Sequence, residues 1–216
     1  MLNIETFTFF PEAFAENTYV VWDESHQCVV IDPGCYHQHE RQKLVAFLEN
    51  NGLTLEKVLN THCHIDHIFG NRLLVEKYKV PLIAHKEDVY NIAGAETAAQ
   101  LWNLHLDPSP EPTDFVDEGD TVSFGNTTFQ VLFTPGHSAG HISFYHPESN
   151  SLFSGDVIFR GSYGRVDLPG GSMEVLRKTI KEKILTLPDA TQIYAGHLGP
   201  TSVATEKKMN PILWEE

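Results

Sequence analysis

Residues 61–67 carry four side chains that can bind a metal ion. They read THCHIDH, so that His62, His64, Asp66 and His67 fall within six positions. A loop between a strand and a helix can turn such neighbours toward one point, whereas a regular helix or strand would spread them apart. Imidazole nitrogen and carboxylate oxygen are ligands that zinc prefers, and hydrolytic zinc sites keep one position open for water. The segment therefore predicts a hydrolytic metal site.

Three further candidate ligands follow small residues at the ends of apolar, strand-like runs. His137 follows Thr-Pro-Gly, Asp156 follows Ser-Gly, and His197 follows Ala-Gly. A single loop histidine is more often a plain surface residue, but chance does not place three such positions beside residues 61–67. Because one metal ion takes three or four protein ligands, the seven side chains predict two divalent metals, with zinc favoured and iron or manganese as alternatives. We interpret the other histidines, among them His141, as surface or supporting residues.

The apolar pattern predicts the elements that position these side chains. Alternating or continuous apolar runs predict strands, and apolar residues at helical spacing predict helices. The predicted strands cover 2–10, 18–22, 28–31, 57–59, 80–84, 121–124, 127–133, 142–145, 151–153 and 192–195, and the predicted helices cover 39–50, 68–78, 87–100 and 173–185. Strands that alternate with helices in both halves favour an α/β fold of sheets covered by helices.

Length, charge and cysteine content narrow the function classes. A chain of 216 residues predicts a single domain over 1–216. Lys and Arg number 15 against 29 Asp and Glu, and the net charge of −14 argues against nucleic-acid partners. The sequence shows no basic leader and no long apolar run, which predicts a cytoplasmic protein without membrane contact. Its three cysteines lack CxxC spacing and are expected to be reduced thiols.

The motifs HxHxDH, TPGH, GD and GH, in this order, resemble those of the metallo-β-lactamase-fold hydrolases. The resemblance covers about residues 5–200, and TPGHSAGHISF, FSGDVIF and GRVDLPGG are similar to the glyoxalase II-like, or hydroxyacylglutathione hydrolase-like, group. It implies a four-layer αβ/βα sandwich of two mixed β-sheets flanked by helices, with the metals at one edge between the sheets. It also implies how the ligands are shared: His62, His64 and His137 for the first metal, Asp66, His67 and His197 for the second, and Asp156 as the bridge.

The implied chemistry is hydrolysis of a small-molecule thioester by a hydroxide that bridges the two metals. Paired metal ions lower the pKa of a shared water toward neutrality and polarise the carbonyl under attack. Asp66 would act as the catalytic carboxylate that orients the water and handles its proton. Asp32, at the end of a predicted strand, is expected to accept the second N–H of a metal-binding histidine, the alternative being a plain Asp-Pro-Gly turn.

Two features separate the sequence from full-length glyoxalase II enzymes. Those enzymes add a C-terminal helical region that holds glutathione, whereas this sequence ends at Glu216, so we expect that grip to be missing. In the loop after Asp156, Arg165 and Asp167 match positions from which the family supplies Lys and Tyr to the substrate. Arg165 keeps the positive charge and Asp167 departs from the pattern. Both are predicted substrate-binding residues, and the acyl group and thiol carrier stay open.

Other functions of the same fold remain alternatives at this point. A persulfide dioxygenase would use one iron held by the equivalents of His62, His137 and Asp156, a facial triad that suits non-haem iron. A metal-dependent hydrolase of another ester or of a lactone is a further alternative. Nucleases of this fold need basic surfaces to hold phosphates, and the net charge of −14 argues against that function. A structural zinc site would be closed and usually rich in cysteine, and seven His and Asp ligands argue against that role. The sequence does not indicate an oligomeric state.

Overall fold

Two six-stranded sheets form the centre of the computed structural model, which describes residues 1–214. The first sheet contains, in spatial order, β1 (Asn3–Phe9), β2 (Glu16–Trp22), β3 (Gln27–Ile31), β4 (Thr54–Leu59), β5 (Leu82–Ala84) and β6 (Asp114–Phe115). The second contains, in spatial order, β14 (Thr201–Ser202), β13 (Gln192–Ala195), β10 (Ser151–Gly155), β9 (Ile142–His146), β8 (Thr127–Phe133) and β7 (Thr121–Phe124). Each sheet combines parallel and antiparallel pairs. Glu215 and Glu216 of the predicted domain lie outside the described residues.

Six α-helices and a small hairpin complete the described part of the chain. The helices are α1 (Gln38–Asn50), α2 (Ile65–Ile68), α3 (Asn71–Tyr78), α4 (Val89–Leu101), α5 (Met173–Thr179) and α6 (Val203–Met209). A π-type turn, Ile180–Ile184, extends α5, and short 3-10 turns cover Lys86–Asp88 and Pro211–Leu213. The hairpin pairs β11 (Ile158–Phe159) with β12 (Ser162–Tyr163). Within residues 1–214, no helix combines the length and apolar character needed to cross a bilayer.

Alternation along the strands divides the core into layers. In β2, Val20 faces α1 and α3, whereas Tyr19 and Val21 face the second sheet, because successive side chains of a strand point to opposite sides. The second sheet packs its outer face on α5 and α6 through residues such as Leu176 and Val203. The order helix, sheet, sheet, helix confirms the predicted four-layer αβ/βα sandwich.

The structure corrects one predicted element next to the site. The predicted helix 68–78 is wrong at its start, because α2 and α3 are separate helices that meet at Gly70. A Cβ at Gly70 would lie 2.6 Å from Cys35 Sγ and 2.9 Å from the carbonyl oxygen of Pro33, so close packing favours glycine and a break there. Asp66 and His67 lie in α2, before this break, rather than in the open loop that the sequence predicted.

Candidate metal centre

All seven predicted ligands lie beyond the carboxyl ends of strands, at one edge of the sandwich. The loop after β4 and the short helix α2 carry His62, His64, Asp66 and His67 from the first sheet. The second sheet supplies the remaining three, which follow β8, β10 and β13: His137, Asp156 and His197. The structure thus brings together every ligand that the sequence predicted, although these segments are far apart along the chain.

The first cluster consists of His62, His64 and His137. Nε2 of His137 lies 3.2 Å from Nε2 of His62 and 2.9 Å from Nδ1 of His64. Ligands at 2.0–2.1 Å around a tetrahedral zinc ion are about 3.3 Å apart. The three nitrogens are therefore spaced as the ligands of one metal ion would be.

The second cluster consists of Asp66, His67 and His197, and Asp156 adjoins both clusters. Oδ2 of Asp66 lies 3.4 Å from His197 Nε2 and 3.7 Å from His67 Nε2. The Asp156 carboxylate lies 3.5 Å from His67, 3.3 Å from His197 and 3.6 Å from His137 of the first cluster. Asp156 is consequently the carboxylate that both clusters share, and it would be placed to contact two metals if each cluster held one.

Unpartnered atoms inside the clusters test whether this donor set fits metal ions. Among the described residues, His67 Nε2 and Asp156 Oδ1 face each other at 3.5 Å and are buried without a hydrogen bond partner. Such orphaned groups cost free energy, so buried polar atoms normally have a partner. A buried imidazole nitrogen and a buried carboxylate oxygen that face each other without a hydrogen bond fit a divalent cation as their common partner.

Hydrogen bonds on the far side of the imidazole rings fix which nitrogen faces the centre. Nδ1–H of His137 donates to the Arg165 carbonyl at 2.7 Å, and Nδ1–H of His197 donates to the Phe14 carbonyl at 3.0 Å. Each ring therefore presents Nε2 to its cluster. A backbone carbonyl in this role orients a metal-binding histidine and raises its basicity.

Asp32 contacts one candidate ligand, His67, directly and a second, His62, through Thr61. Its carboxylate lies 3.2 Å from His67 Nδ1 and accepts both the N–H (2.7 Å) and the hydroxyl (2.6 Å) of Thr61. Since the Thr61 hydroxyl donates to Asp32, it accepts from His62 Nδ1 at 3.1 Å. Asp32 itself adopts a left-handed conformation, φ +48°, which aspartate tolerates better than most residues. The structure thus places the predicted carboxylate behind one ligand of each cluster.

The first cluster carries neutral imidazoles. Burial and the neighbouring histidines lower the pKa of His62 well below its usual value, and burial with His137 lowers the pKa of His64 to about 4. Both rings are therefore unprotonated at neutral pH and offer lone pairs without prior loss of a proton. This is the protonation state that metal coordination requires.

In the second cluster, the histidines carry positive charge that balances the carboxylates and that a metal ion would replace. Burial alone would lower the pKa of His67 and His197, but the carboxylates of Asp156 and Asp66 have the larger effect. They raise the pKa of His67 well above its usual value and the pKa of His197 to about 11. Conversely, His197 and His67 overcome the effect of burial and hold the pKa of Asp156 well below its usual range. Protons on the two histidines neutralise the carboxylates here, and a cation would replace those protons.

Two supporting residues have no signal in the sequence that marks their role. The buried Asp88 accepts from the backbone N–H of Cys63 and of Gly140, and so ties residues 61–67 to the segment that carries His137. His141 accepts from the Asp156 N–H at 3.0 Å and stacks on His62 with centroids 5.0 Å apart. Proximity to His137 in the sequence could have pointed to His141, whereas Asp88 lies far from every ligand motif along the chain.

Two glycines give the backbone room beside the ligands. A Cβ at Gly196 would collide with the Asp156 carboxylate. Gly155, directly before Asp156, has φ +49°, and a Cβ there would collide with the Thr61 side chain. Close packing thus requires glycine at both positions, and the positive φ of Gly155 favours glycine there as well.

Arg165 and Asp167 bind each other at the rim of the site. The Arg165 guanidinium donates from Nε and from its second terminal nitrogen to the two Asp167 oxygens, each at 2.7 Å. Arg165 lines the cleft above the clusters, and its backbone carbonyl supports His137. The structure therefore places the predicted substrate-binding pair as a mutually neutralised ion pair.

Comparison with known proteins identifies the family. A family model described as the metallo-beta-lactamase superfamily matches residues 11–197. This chain belongs to that superfamily. Within the superfamily it is 37% identical over 188 residues to a probable metallo-hydrolase, YqgX, of Bacillus subtilis, with 87% of each chain covered. It is also 34% identical over 203 residues to the hydroxyacylglutathione hydrolase GloC of Haemophilus influenzae, covering 93% of this chain and 94% of GloC.

Solved structures of the superfamily agree with the fold and with metal binding. The BLEG-1 B3 metallo-β-lactamase has a TM-score of 0.88 at 30% identity and covers 99% of this chain and 100% of its own. TTHA1623, solved in a di-iron-bound form, has a TM-score of 0.83 at 40% identity and covers 92% of this chain and 96% of its own. Together with the clusters, these relatives support a metal-dependent hydrolase.

Proposed function

We propose that the protein is a dinuclear metal-dependent hydrolase that cleaves thioesters, as a hydroxyacylglutathione hydrolase does. The observation that carries this proposal is the pair of adjoining ligand clusters that share Asp156. The similarity to GloC over nearly the whole chain supports the thioester substrate. Zinc is the favoured metal on the imidazole and carboxylate donors, and the di-iron form of TTHA1623 makes iron the main alternative.

The residues of the centre have separate tasks in this reaction. When bound, two divalent metals supply Lewis acidity and activate water at neutral pH. Asp66 lines the cleft, where its carboxylate would accept a hydrogen bond from the attacking water and take up its proton. Asp32 and the carbonyls of Arg165 and Phe14 keep the imidazoles oriented. The cleft holds the thioester carbonyl next to these groups.

Metal content and substrate range test the proposal directly. The purified protein is expected to hold close to two transition-metal ions per chain, measured by mass spectrometry. The loaded protein should hydrolyse thioesters faster than β-lactams or simple esters, followed by release of free thiol. A single iron with oxygen consumption on a persulfide, or β-lactams as the better substrates, would overturn it.

The Arg165–Asp167 pair predicts how tightly the protein binds thioesters whose thiol carrier bears a carboxylate. We propose that Arg165 can hold a substrate carboxylate, which must first compete with Asp167. Asp167→Asn is therefore expected to raise kcat/KM for an acyl-glutathione by about two- to fivefold, mainly through KM, since exposed ion pairs are weak. Arg165→Ala should change KM in the opposite direction and leave the metal content unaltered. Steady-state kinetics decide the matter, and an unchanged KM in both variants would show that neither side chain meets the substrate.

A further inference from the structure

A cleft of about 960 Å³ opens beside the two clusters, and α4 forms one of its walls. Residues 90, 91, 94, 97, 98 and 101 of this helix line the cleft. Their spacing of three and four positions is that of a single helix face. The buried Asp88, directly before α4, anchors this wall to the loops that carry the ligands.

Apolar side chains dominate the cleft away from the ligands. Leu101 and Trp102 are 84% and 54% exposed, and Phe14 packs against Trp102 with ring centroids 5.1 Å apart. At the other end of α4, the Tyr90 side chain is 40% exposed. Its hydroxyl donates a hydrogen bond of 2.8 Å to the Pro169 carbonyl. Scattered exposed apolar residues are ordinary, but a contiguous set that lines a cleft indicates a binding surface.

The cleft offers little to an anionic group. Apart from the predicted ligands, Arg165 is the only charged side chain among its described lining residues. Asp167 occupies both donating edges of that guanidinium. A substrate with carboxylates far from the reacting carbonyl would therefore find no unpaired cation along this wall.

We propose that α4 forms the binding surface for an apolar acyl group, so that the preferred substrates are thioesters of uncharged aliphatic or aromatic acids. The inference rests on the proposed thioester hydrolysis and names its substrate class. The cleft connects directly to the ligands, because Asp66, His137 and His197 also line it. An acyl group along α4 thus places its carbonyl at the clusters.

Gly94 gives this surface its depth. It lies at the centre of the cleft-lining face, and a Cβ built there meets no atom within 4 Å. A larger side chain at this position would therefore project into the cleft without displacing its neighbours. Replacement of a helical glycine by leucine also favours the helix, so the variant is expected to fold.

The first experiment measures selectivity of the zinc-loaded protein. Acetyl, butanoyl, hexanoyl and benzoyl thioesters of the uncharged thiol N-acetylcysteamine are compared. Each methylene fully removed from water adds roughly a factor of four in affinity. We therefore expect kcat/KM to rise at least tenfold from acetyl to hexanoyl. Equal values along the series, or a preference for lactoyl-glutathione over hexanoyl thioester, would overturn the inference.

The second experiment locates the selectivity. Gly94→Leu is expected to lower the hexanoyl-to-acetyl ratio of kcat/KM at least tenfold. Ala93→Leu adds a similar volume at the neighbouring position, which is exposed and does not line the cleft, and should leave the ratio as in the wild type. A ratio that both variants share with the wild type would contradict the role of α4.

A binding measurement separates the two proposals. If the metal-loaded protein hydrolyses no thioester, the proposed function fails, and calorimetry with the stable thioether S-hexyl-N-acetylcysteamine still tests the cleft. Binding to wild type and Ala93→Leu but at least tenfold weaker binding to Gly94→Leu would retain an apolar site at α4. Equal binding to all three proteins, or no binding to any, would remove it.

Discussion

Replacement of Asp156 by alanine is expected to lower kcat/KM for thioester hydrolysis by about a thousandfold or more. Its carboxylate lies within 3.6 Å of histidines from both clusters, and no other carboxylate among the described residues does so. Removing it takes away the one carboxylate that adjoins both clusters among the described residues. The variant should therefore also lose much of one metal, so that mass spectrometry finds closer to one ion per chain.

A surface carboxylate provides the control for this variant. The Glu148 side chain is 90% exposed, so Glu148→Ala removes a negative charge without touching the clusters. It should retain wild-type activity and metal content. Asp156→Ala with two bound metals and wild-type kinetics would show that Asp156 does not join the clusters.

Asp32 is expected to control metal affinity without touching a metal. Asp32→Ala removes the carboxylate that lies 3.2 Å from His67 Nδ1 and the acceptor for Thr61, which itself supports His62. Loss of such a support typically lowers metal affinity 10- to 100-fold. The variant also leaves the buried Thr61 N–H without its acceptor, which costs about 1–3 kcal/mol in the free energy of unfolding. Competition with a chelator and thermal unfolding measure the two effects.

Asp32→Asn separates charge from hydrogen bonding. Asparagine tolerates the left-handed backbone at this position and keeps an oxygen for the Thr61 N–H. It should restore most of the lost stability but not the metal affinity, since the carboxylate charge facing His67 is gone. If Asp32→Asn binds metal as tightly as the wild type, the negative charge of Asp32 has no part in orienting the ligand.

The candidate metal centre could be located from the sequence because its candidate ligands lie in short, dense motifs. His62, His64, Asp66 and His67 are neighbours in sequence, and His137, Asp156 and His197 each follow a run of residues typical of a strand. The alternation of strands and helices favours an α/β fold, and the resemblance to the metallo-β-lactamase-fold hydrolases implies the four-layer sandwich. Carboxyl ends of strands then gather at one edge, as the structure shows.

The remainder depends on contacts that leave no local pattern. The break at Gly70 arises from its approach to Pro33 and Cys35, which are distant in sequence. Strands of two residues, such as β6 and β11, are too short for a period of two to appear. The apolar face of α4 becomes meaningful only when the fold turns it toward the ligands, and Asp88 acquires its role only through tertiary contacts.

Each ligand cluster draws on both sheets, and this couples metal binding to folding. The loop after β4 supplies His62 to the first cluster and α2 supplies His67 to the second, whereas His137 and His197 come from the opposite sheet. A metal ion held in either cluster would consequently cross-link the two halves of the sandwich and would bind only when they are docked. By mass action, free metal at a thousand times its dissociation constant adds about 4 kcal/mol to the free energy of unfolding. The supply of metal would then govern how long the folded chain persists as well as how fast it works.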